Sequence, residues 1–314
     1  GEYIERLELA LTEGGFAGRF FIVQSNGGVM TSTAARALPV RTALSGPAAG
    51  VIASAHLAAA AGFENVITCD MGGTSFDVAV IANGEVVSGT QTSVDYCFGI
   101  RTPMIEISTI GAGGGSLAWV DAGGILRIGP ESAGSVPGPA CYGRGNDRPT
   151  VTDAHLVLGR LNGERPIGGL DQLDTEAARD AVRREVAEPL ALSIEDAAEA
   201  ILRIATSRMA GALRLVSIER GHDPGEFIAM PFGGAGALHS CGLLADVGLS
   251  AALVPRYPGV TSALGCTVAD ARHDVVQTLN LAVADLVDQA AVATLTERLV
   301  RSETVVRSFL DDSG

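Results

Sequence analysis

Residues 69–77 read CDMGGTSFD, a turn of glycines and hydroxyls between two apolar runs. The run before the turn, NVITCD, and the run after it, FDVAVI, are short and rich in β-branched residues, as buried strands are. A connection this short joins antiparallel neighbours, since parallel strands need a crossover of a dozen or more residues. The sequence therefore predicts a hairpin with Asp70 and Asp77 on either side of its tip.

The residue types of this loop suit phosphate binding. Backbone N–H groups of a glycine turn can converge on phosphate oxygens because no Cβ blocks the approach, and hydroxyls add donors. The candidate phosphate-binding residues are Gly72, Gly73, Thr74 and Ser75. Asp70 and Asp77 would repel a bare phosphate, but a Mg²⁺ ion between them and the phosphates removes the conflict, with Asp70 as its ligand or as the group that orients a nucleophile. The alternative is a glycine hairpin whose two acids cap nearby N–H groups.

Two more glycine loops are candidates for the same site. One is GAGGGS, with Gly111, Gly113 and Gly114, and the other follows the predicted strand EFIAMPF, with Gly233, Gly234, Ala235 and Gly236. The second loop opens a helix, and a helix N-terminus without obstructing side chains favours a phosphate or a nucleoside. Each loop alone has a packing explanation, and neither fits the GxGxxG dinucleotide fingerprint. Three such loops in one chain strengthen the phosphate-binding prediction.

Charge and composition restrict the partners. The net charge of −14 argues against binding to a nucleic-acid backbone. The five cysteines lack the close spacing of a zinc site, which favours a reduced, cytoplasmic protein. The first residues are charged and helical in pattern, and the longest apolar stretch is too short to span a bilayer, so no membrane association is expected.

The order of predicted elements indicates an α/β fold. Strand-like blocks at 66–110 and 226–254 are separated by amphipathic helices at 174–188 and 194–219, the second with Ser193 at its start. Residues 121–170 are rich in Gly and Pro and are predicted to be largely irregular. This order predicts one α/β subdomain with a mostly helical insertion.

Four further polar residues are candidates, each with a structural alternative. Asp153 and His155 are two residues apart, which suits a metal site in a loop better than one on a helix face. His222 follows a long helix, where it is either functional or part of a helix C-cap. His239 lies one turn into the helix after the third glycine loop and either faces the site or is a hydrogen-bonded core residue.

Together these motifs resemble a known family. QSNGGVM, PVRTALSGPAAGV, CDMGGTSFDVAV, IGAGGGSLAWVD, TVTDAHLVLGRL and PFGGAGALHSCGLL occur in one order and resemble the hydantoinase A/5-oxoprolinase family of the actin-like ATPase superfamily. The resemblance implies an actin-like ATPase (ribonuclease H-like) lobe with a mostly helical insertion. It also implies a chain cut from the centre of a longer one, because family members carry an earlier Asp-x-Gly-Gly-Thr loop and this sequence has a single one.

The resemblance also implies a domain division. Residues 1–45 would join a first lobe that lies outside this chain, and residues 46–120 with 222–275 would form the nucleotide-binding subdomain. Residues 121–221 would be the irregular and helical insertion, and residues 276–314 would begin a C-terminal region.

The function implied by the resemblance is ATP-dependent, Mg²⁺-assisted hydrolysis of a cyclic amide of the hydantoin or 5-oxoproline type. A hydantoinase B-type partner subunit would share the chemistry. Asp70 and Asp77 would be catalytic, and the three glycine loops would hold the nucleotide. The family often has Asn where His155 stands, which weakens a ligand role for that residue. Two alternatives stay open: a non-catalytic actin-like ATPase module, and ketone activation of the acetone carboxylase type.

Overall fold

The secondary structure mixes strands and helices, and a computed structural model describes it for residues 1–89, 92–95, 98–100, 102–165, 172–278 and 288–313. The strands in these ranges are β1 (Phe21–Val23), β2 (Val29–Thr31), β3 (Val66–Met71), β4 (Phe76–Ala82), β5 (Glu85–Val86), β6 (Ser88–Gly89), β7 (Thr92–Asp95), β8 (Phe98–Ile100), β9 (Met104–Ile105), β10 (Ser108–Ile110), β11 (Ser116–Val120), β12 (Leu126–Ser132), β13 (Ile228–Phe232) and β14 (Ala251–Ala252). The helices are α1 (Glu2–Glu13), α2 (Ser32–Ala37), α3 (Ser45–Ala60), α4 (Val151–Val157), α5 (Thr175–Val182), α6 (Glu188–Leu190), α7 (Ile194–Val216), α8 (Gly233–Gly236), α9 (Ser240–Val247), α10 (Thr261–Val268) and α11 (Gln289–Ser313). Among the described residues, no helix combines the length and the apolar character needed to cross a bilayer.

The chain divides into two compact units. The hairpin unit comprises Gly1–Ala53, Ser88–Glu106 and Ser262–Gly314, and the sheet unit comprises Ser54–Val87 and Ile107–Thr261. The family-based division at residues 45, 120, 221 and 275 stays a prediction. Parts of three of its regions lie outside the described residues, namely 90–91, 96–97 and 101, then 166–171, and finally 279–287 with 314.

The sheet unit is built on a mixed six-stranded sheet. Its strand order is β10-β4-β3-β13-β14, with β5 paired to β4. β3 and β4 are antiparallel with Asp70 opposite Asp77, which confirms the hairpin predicted from CDMGGTSFD. β13 runs parallel to β3 and places Phe232 beside Asp70. The α/β prediction is therefore confirmed, and the turns after β3 and β13 emerge from the same edge of the sheet.

One hydrophobic core joins the sheet to its helices. Ile67 and Val80 of the sheet share this core with Ile201 and Met209 of α7 and with Leu243 of α9. The amphipathic helix predicted at 194–219 is α7 in the structure. Its predicted start is confirmed, because the Ser193 hydroxyl accepts a hydrogen bond from the Asp196 N–H. The predicted helix at 174–188 begins as α5 but continues through a π-helical turn, Arg183–Ala187, into α6.

The segment predicted to be largely irregular contains a strand. β12 pairs with β11 in an antiparallel hairpin, with Ala118 opposite Ile128. Gly129 and Pro130 lie inside β12, and they interrupt the alternation of apolar and polar residues that marks a strand in a sequence. The same segment also contains α4, so Asp153 and His155 lie in a helix.

The hairpin unit buries polar side chains at its first turn. Between β1 and β2, Gln24, Ser25 and Asn26 are nearly inaccessible to solvent. Gln24 donates to the Arg272 carbonyl at 2.7 Å, and Asn26 donates to the Asp274 carboxylate at 2.6 Å. These bonds attach the QSNGG turn to residues about 250 positions later, so the motif has a structural role within this unit.

Candidate functional site

The loop after β13 lies against the loop after β3. Gly233 has a left-handed φ of +81°, and a Cβ there would lie 2.4 Å from Asp70 Oδ1 and 2.5 Å from the Met71 carbonyl oxygen. A Cβ at Gly236 would lie 3.0 Å from the Cys69 carbonyl oxygen. Glycine is therefore required where α8 begins, because the chain passes β3 at backbone distance.

The loop GAGGGS, residues 111–116, contacts the loop after β3 through its peptide groups. The Gly114 N–H donates to the Gly72 carbonyl at 3.0 Å, and the Gly115 N–H donates to the Gly73 carbonyl at 2.7 Å. A Cβ at Gly113 would lie 2.4 Å from the Thr74 nitrogen. The three glycine loops, which are separated by up to about 160 residues in sequence, thus form one cluster around Asp70.

One side of this cluster is open. No atom lies within 4 Å of the Cβ positions of Gly72, Gly73 and Gly234, while Gly113 and Gly233 face backbone. Thr74 is exposed and Ser75 is half-buried at the hairpin tip. A ligand approaching Gly72 and Gly73 would therefore meet backbone and hydroxyl groups, a surface that suits phosphate oxygens.

The two acids differ in their surroundings. Asp77 accepts a hydrogen bond from the Thr109 hydroxyl at 2.5 Å and one from the Ser75 hydroxyl at 3.3 Å. Burial and, to a smaller extent, the negative charge of Asp77 together raise the pKa of Asp70 to about 6. Within the described ranges, no basic side chain forms an ion pair with either acid.

This arrangement fits a divalent cation that is shared with phosphates. Carboxylate oxygens are hard ligands of the kind Mg²⁺ prefers, and the ion would relieve the repulsion between Asp70 and Asp77. No cluster of three or more His, Cys, Asp or Glu side chains in the described part of the chain could hold a metal alone. Such an ion would take its remaining ligands from water and from phosphate oxygens.

Asp153 lies in the structure as a helix cap. Its carboxylate accepts hydrogen bonds from the N–H groups of Ala140, Cys141 and Thr150 and from the Thr150 hydroxyl, at 2.8–3.1 Å. Thr150 and Asp153 form a capping box at the start of α4, and Asp153 is fully buried. Four donors saturate this carboxylate, so we leave it out of the proposed site.

His222 lies just after the end of a short helical turn. It follows Gly221, which ends a short helical turn in the left-handed conformation, and its N–H donates to the Ser217 carbonyl at 3.0 Å. Its ring packs edge-on against Phe227 with centroids 5.3 Å apart. These contacts are those of a helix C-terminus.

The structure brings His155 and His239 together, 84 positions apart in sequence. Their Nε2 atoms are 3.1 Å apart, and His239 Nδ1 is 3.0 Å from the Thr206 hydroxyl of α7. Burial lowers the pKa of His155 to about 3 and that of His239 to about 4. Both rings are therefore neutral near pH 7. His239 also lines a cavity of about 880 Å³ between α7 and α9.

One residue at the cluster was missed in the sequence. Thr152 donates from its N–H and its hydroxyl to the Gly114 carbonyl, both at 2.8 Å, and so ties the start of α4 to the GAGGGS loop. The signal available was T-x-x-D, Thr150 to Asp153, a capping pattern that places Thr152 in the first turn of a helix.

The fold and its loops define the class of protein. A mixed α/β sheet carries a glycine hairpin after β3 and a glycine-opened helix after its parallel neighbour β13, the arrangement expected from the resemblance to actin-like ATPase lobes. The profile of the hydantoinase/oxoprolinase family matches residues 1–275. The chain belongs to the hydantoinase/oxoprolinase family.

Similar proteins agree in sequence and in structure. Caprolactamase subunit alpha of Pseudomonas jessenii is 41% identical over 285 residues, which are 91% of this chain and 41% of that protein. The crystal structure of the ATP-dependent caprolactamase from the same organism matches with a TM-score of 0.80 and 38% identity, over 96% of this chain and 44% of that one. Nucleotide-free acetone carboxylase matches with a TM-score of 0.79 and 30% identity, over 96% and 43%. This chain thus spans less than half the length of these relatives.

Proposed function

We propose that this chain is the second-lobe part of an ATPase subunit that hydrolyses a cyclic amide. The observation that supports this most directly is the convergence of three glycine loops on Asp70, with backbone approaches that any Cβ would block. Gly72, Gly73, Thr74 and Ser75 would contact the β- and γ-phosphates of ATP. Gly111, Gly113 and Gly114 would close one side, and Gly233, Gly234, Ala235 and Gly236 would line the rest of the nucleotide.

Asp70 and Asp77 supply the negative charge in this proposal. Asp70 would hold the Mg²⁺ ion through water or through shared phosphate contacts, and Mg²⁺ would neutralise charge on the transferring phosphoryl group. Asp77, held by Thr109 and Ser75, would keep the field at the hairpin tip negative. The raised pKa of Asp70 fits a carboxylate that lacks a protein cation and takes one from the ligand.

The proposed reaction activates an amide that resists hydrolysis. The γ-phosphoryl group of ATP would pass to the amide oxygen, which releases ADP and turns that oxygen into part of a leaving group. A first water would then attack the amide carbon, and the ring C–N bond would break with a proton going to nitrogen, which leaves an acyl phosphate. A second water would hydrolyse the acyl phosphate to the carboxylic acid and inorganic phosphate. The family description and the name of the caprolactamase relative support a cyclic amide as the substrate class.

A partner subunit is part of the proposal. The caprolactamase relative is named as an alpha subunit, which supports an assembly with a second type of chain. The acetone carboxylase neighbour supports the alternative in which the same lobe activates a ketone. A module that binds ATP only to change conformation remains the non-catalytic alternative.

The test measures ADP release by the full-length protein with its partner subunit. ADP release that requires a cyclic amide, and that falls at least about tenfold in Asp70→Asn, supports the proposal. Release that requires a ketone and bicarbonate instead would support the acetone carboxylase alternative. Two results would contradict amide hydrolysis. One is ADP release without any organic substrate, and the other is no ADP release from a protein that still binds nucleotide.

A further inference from the structure

A chain of hydrogen bonds runs beneath the glycine cluster through His155, His239 and Thr206. These three residues, joined by two hydrogen bonds, belong to three helical segments: α4, the turn after α8, and α7. The two rings meet at 78° with centroids 4.8 Å apart, and all three side chains are at least nine-tenths buried.

Hydrogen bonding assigns one direction to this chain. His155 Nδ1 is buried and has no hydrogen-bond partner among the described residues, so it is less costly as a bare acceptor than as an unpaired N–H. The proton of His155 therefore lies on Nε2 and is donated to His239 Nε2. His239 then carries its proton on Nδ1 and donates it to the Thr206 hydroxyl. The assignment is inferred from the network of partners, and it gives the N–H group of each imidazole an acceptor.

Each histidine lies one helical turn from a glycine loop. His155 follows Thr152, which donates twice to the Gly114 carbonyl. His239 follows Gly236, which packs at backbone distance against Cys69. A Cβ at Gly114 would lie 3.8 Å from Ala235 Cβ, so the two loops are also neighbours at their tips.

We propose that His239 is a positioning residue that, bonded to His155 and Thr206, holds the loop 233–236 against the loop 111–115 and so sets the affinity for nucleotide. This proposal rests on the proposed nucleotide site. Its physical basis is that loops held by peptide groups cannot be positioned by their own side chains, because most of them have none. The supporting contacts must come from the helices that follow the loops.

The test compares Mg-ADP affinity among variants by calorimetric titration. We expect His155→Leu to raise the dissociation constant about tenfold, and Thr206→Val to raise it about threefold. His155→Gln restores a donor at the position of Nε2, so its dissociation constant should lie within about threefold of the wild-type value. The double variant His155→Leu/Thr206→Val should raise the dissociation constant by less than the product of the two single fold-changes, because both substitutions break the same chain of hydrogen bonds. His56→Leu, at an exposed position of α3, is the matched control and should leave affinity unchanged.

Ring ¹⁵N spectra of the histidines provide a readout that loss of stability alone would not change. We expect His155 protonated at Nε2 and His239 protonated at Nδ1, with the His239 signals shifting when Mg-ADP is added. Folded His155→Leu and Thr206→Val proteins with wild-type affinity would overturn the positioning role and leave the nucleotide site standing. A wild-type protein that binds neither Mg-ADP nor Mg-ATP would overturn both.

Discussion

Two acidic residues of the sheet unit show how differently a protein uses the same carboxylate. Asp153 at the start of α4 accepts four hydrogen bonds and is fully buried. Asp70 at the end of β3 is half-buried, forms no ion pair with a described residue, and has a pKa raised to about 6. The first acid is satisfied by the protein itself, and the proposed site would satisfy the second with a cation that comes with the ligand.

This difference separates a structural role from a functional one. A carboxylate that accepts several N–H donors contributes to folding, and its loss exposes those donors to an apolar interior. A carboxylate kept partly desolvated beside another acid destabilises the fold and is retained for a ligand or a reaction. The four predictions below test this contrast from the largest expected effect to the smallest.

Asp153→Ala should lower the free energy of unfolding by about 3–5 kcal/mol, because three buried N–H groups and one hydroxyl lose their acceptor. The measurement is urea denaturation followed by circular dichroism. Asp174→Ala is the matched control: Asp174 caps α5 by accepting from a single N–H, and its loss should cost about 1 kcal/mol. Equal losses in the two variants would remove the distinction drawn for Asp153.

Gly233→Ala should lower the free energy of unfolding by about 2–4 kcal/mol and abolish measurable Mg-ADP binding. Its φ is +81° and the new Cβ would contact Asp70 and Met71 below 3 Å. Gly234→Ala is the control for the unfolding measurement alone, since the space around its Cβ position is open among the described residues. Normal binding by a folded Gly233→Ala protein would show that the close approach of the two loops is unimportant for the ligand.

Asp70→Asn should weaken Mg-nucleotide binding about tenfold, or about 1.4 kcal/mol, and should stabilise the unliganded protein above pH 6. The pKa of Asp70 is raised in the folded state, so its ionisation destabilises the fold. That penalty is absent below about pH 4, grows as the pH rises toward 6, and is complete above it. Unfolding measured at pH 4 and pH 8 checks the sign, since the variant should match wild type at pH 4 and exceed it at pH 8.

The histidine pair should contribute a pH dependence of the opposite sign. The pKa values of His155 and His239 are lowered to about 3 and about 4, so the stability from their neutral forms is complete above about pH 6.5 and declines as the pH falls. Between pH 7 and pH 6 we expect a loss of about 1 kcal/mol, and about half of it should disappear in His155→Gln. If the unfolding free energy of His155→Gln depends on pH as steeply as that of the wild type, His155 does not contribute to this pH dependence.

Local features of the sequence predicted local features of the structure. The hairpin at 70–77 followed from two apolar runs around a short glycine turn, and the start of α7 followed from Ser193. Both depend on residues within about four positions of one another, where spacing and turn chemistry act directly. The resemblance to a family extended this to the whole lobe.

The failures have equally physical reasons. β12 was missed because Gly129 and Pro130 interrupt its pattern, while pairing with β11 stabilises it all the same. The contact between His155 and His239 depends on how α4 and the turn after α8 pack, and no local pattern carries that information. The spacing of Asp153 and His155 favoured a loop, whereas both lie in α4, and the N–H donors of Ala140 and Cys141 become neighbours of Asp153 only after the 140–150 segment has folded.

The glycine cluster is held by peptide groups, since Gly114 and Gly115 bond directly to Gly72 and Gly73. Such a surface tolerates few single substitutions during evolution, because a Cβ at Gly113, Gly115 or Gly233 would lie within 3 Å of backbone atoms. The side chains around it are free of that restriction. Divergence among proteins with this lobe should therefore accumulate outside the cluster, which leaves one constant component that new specificities can reuse.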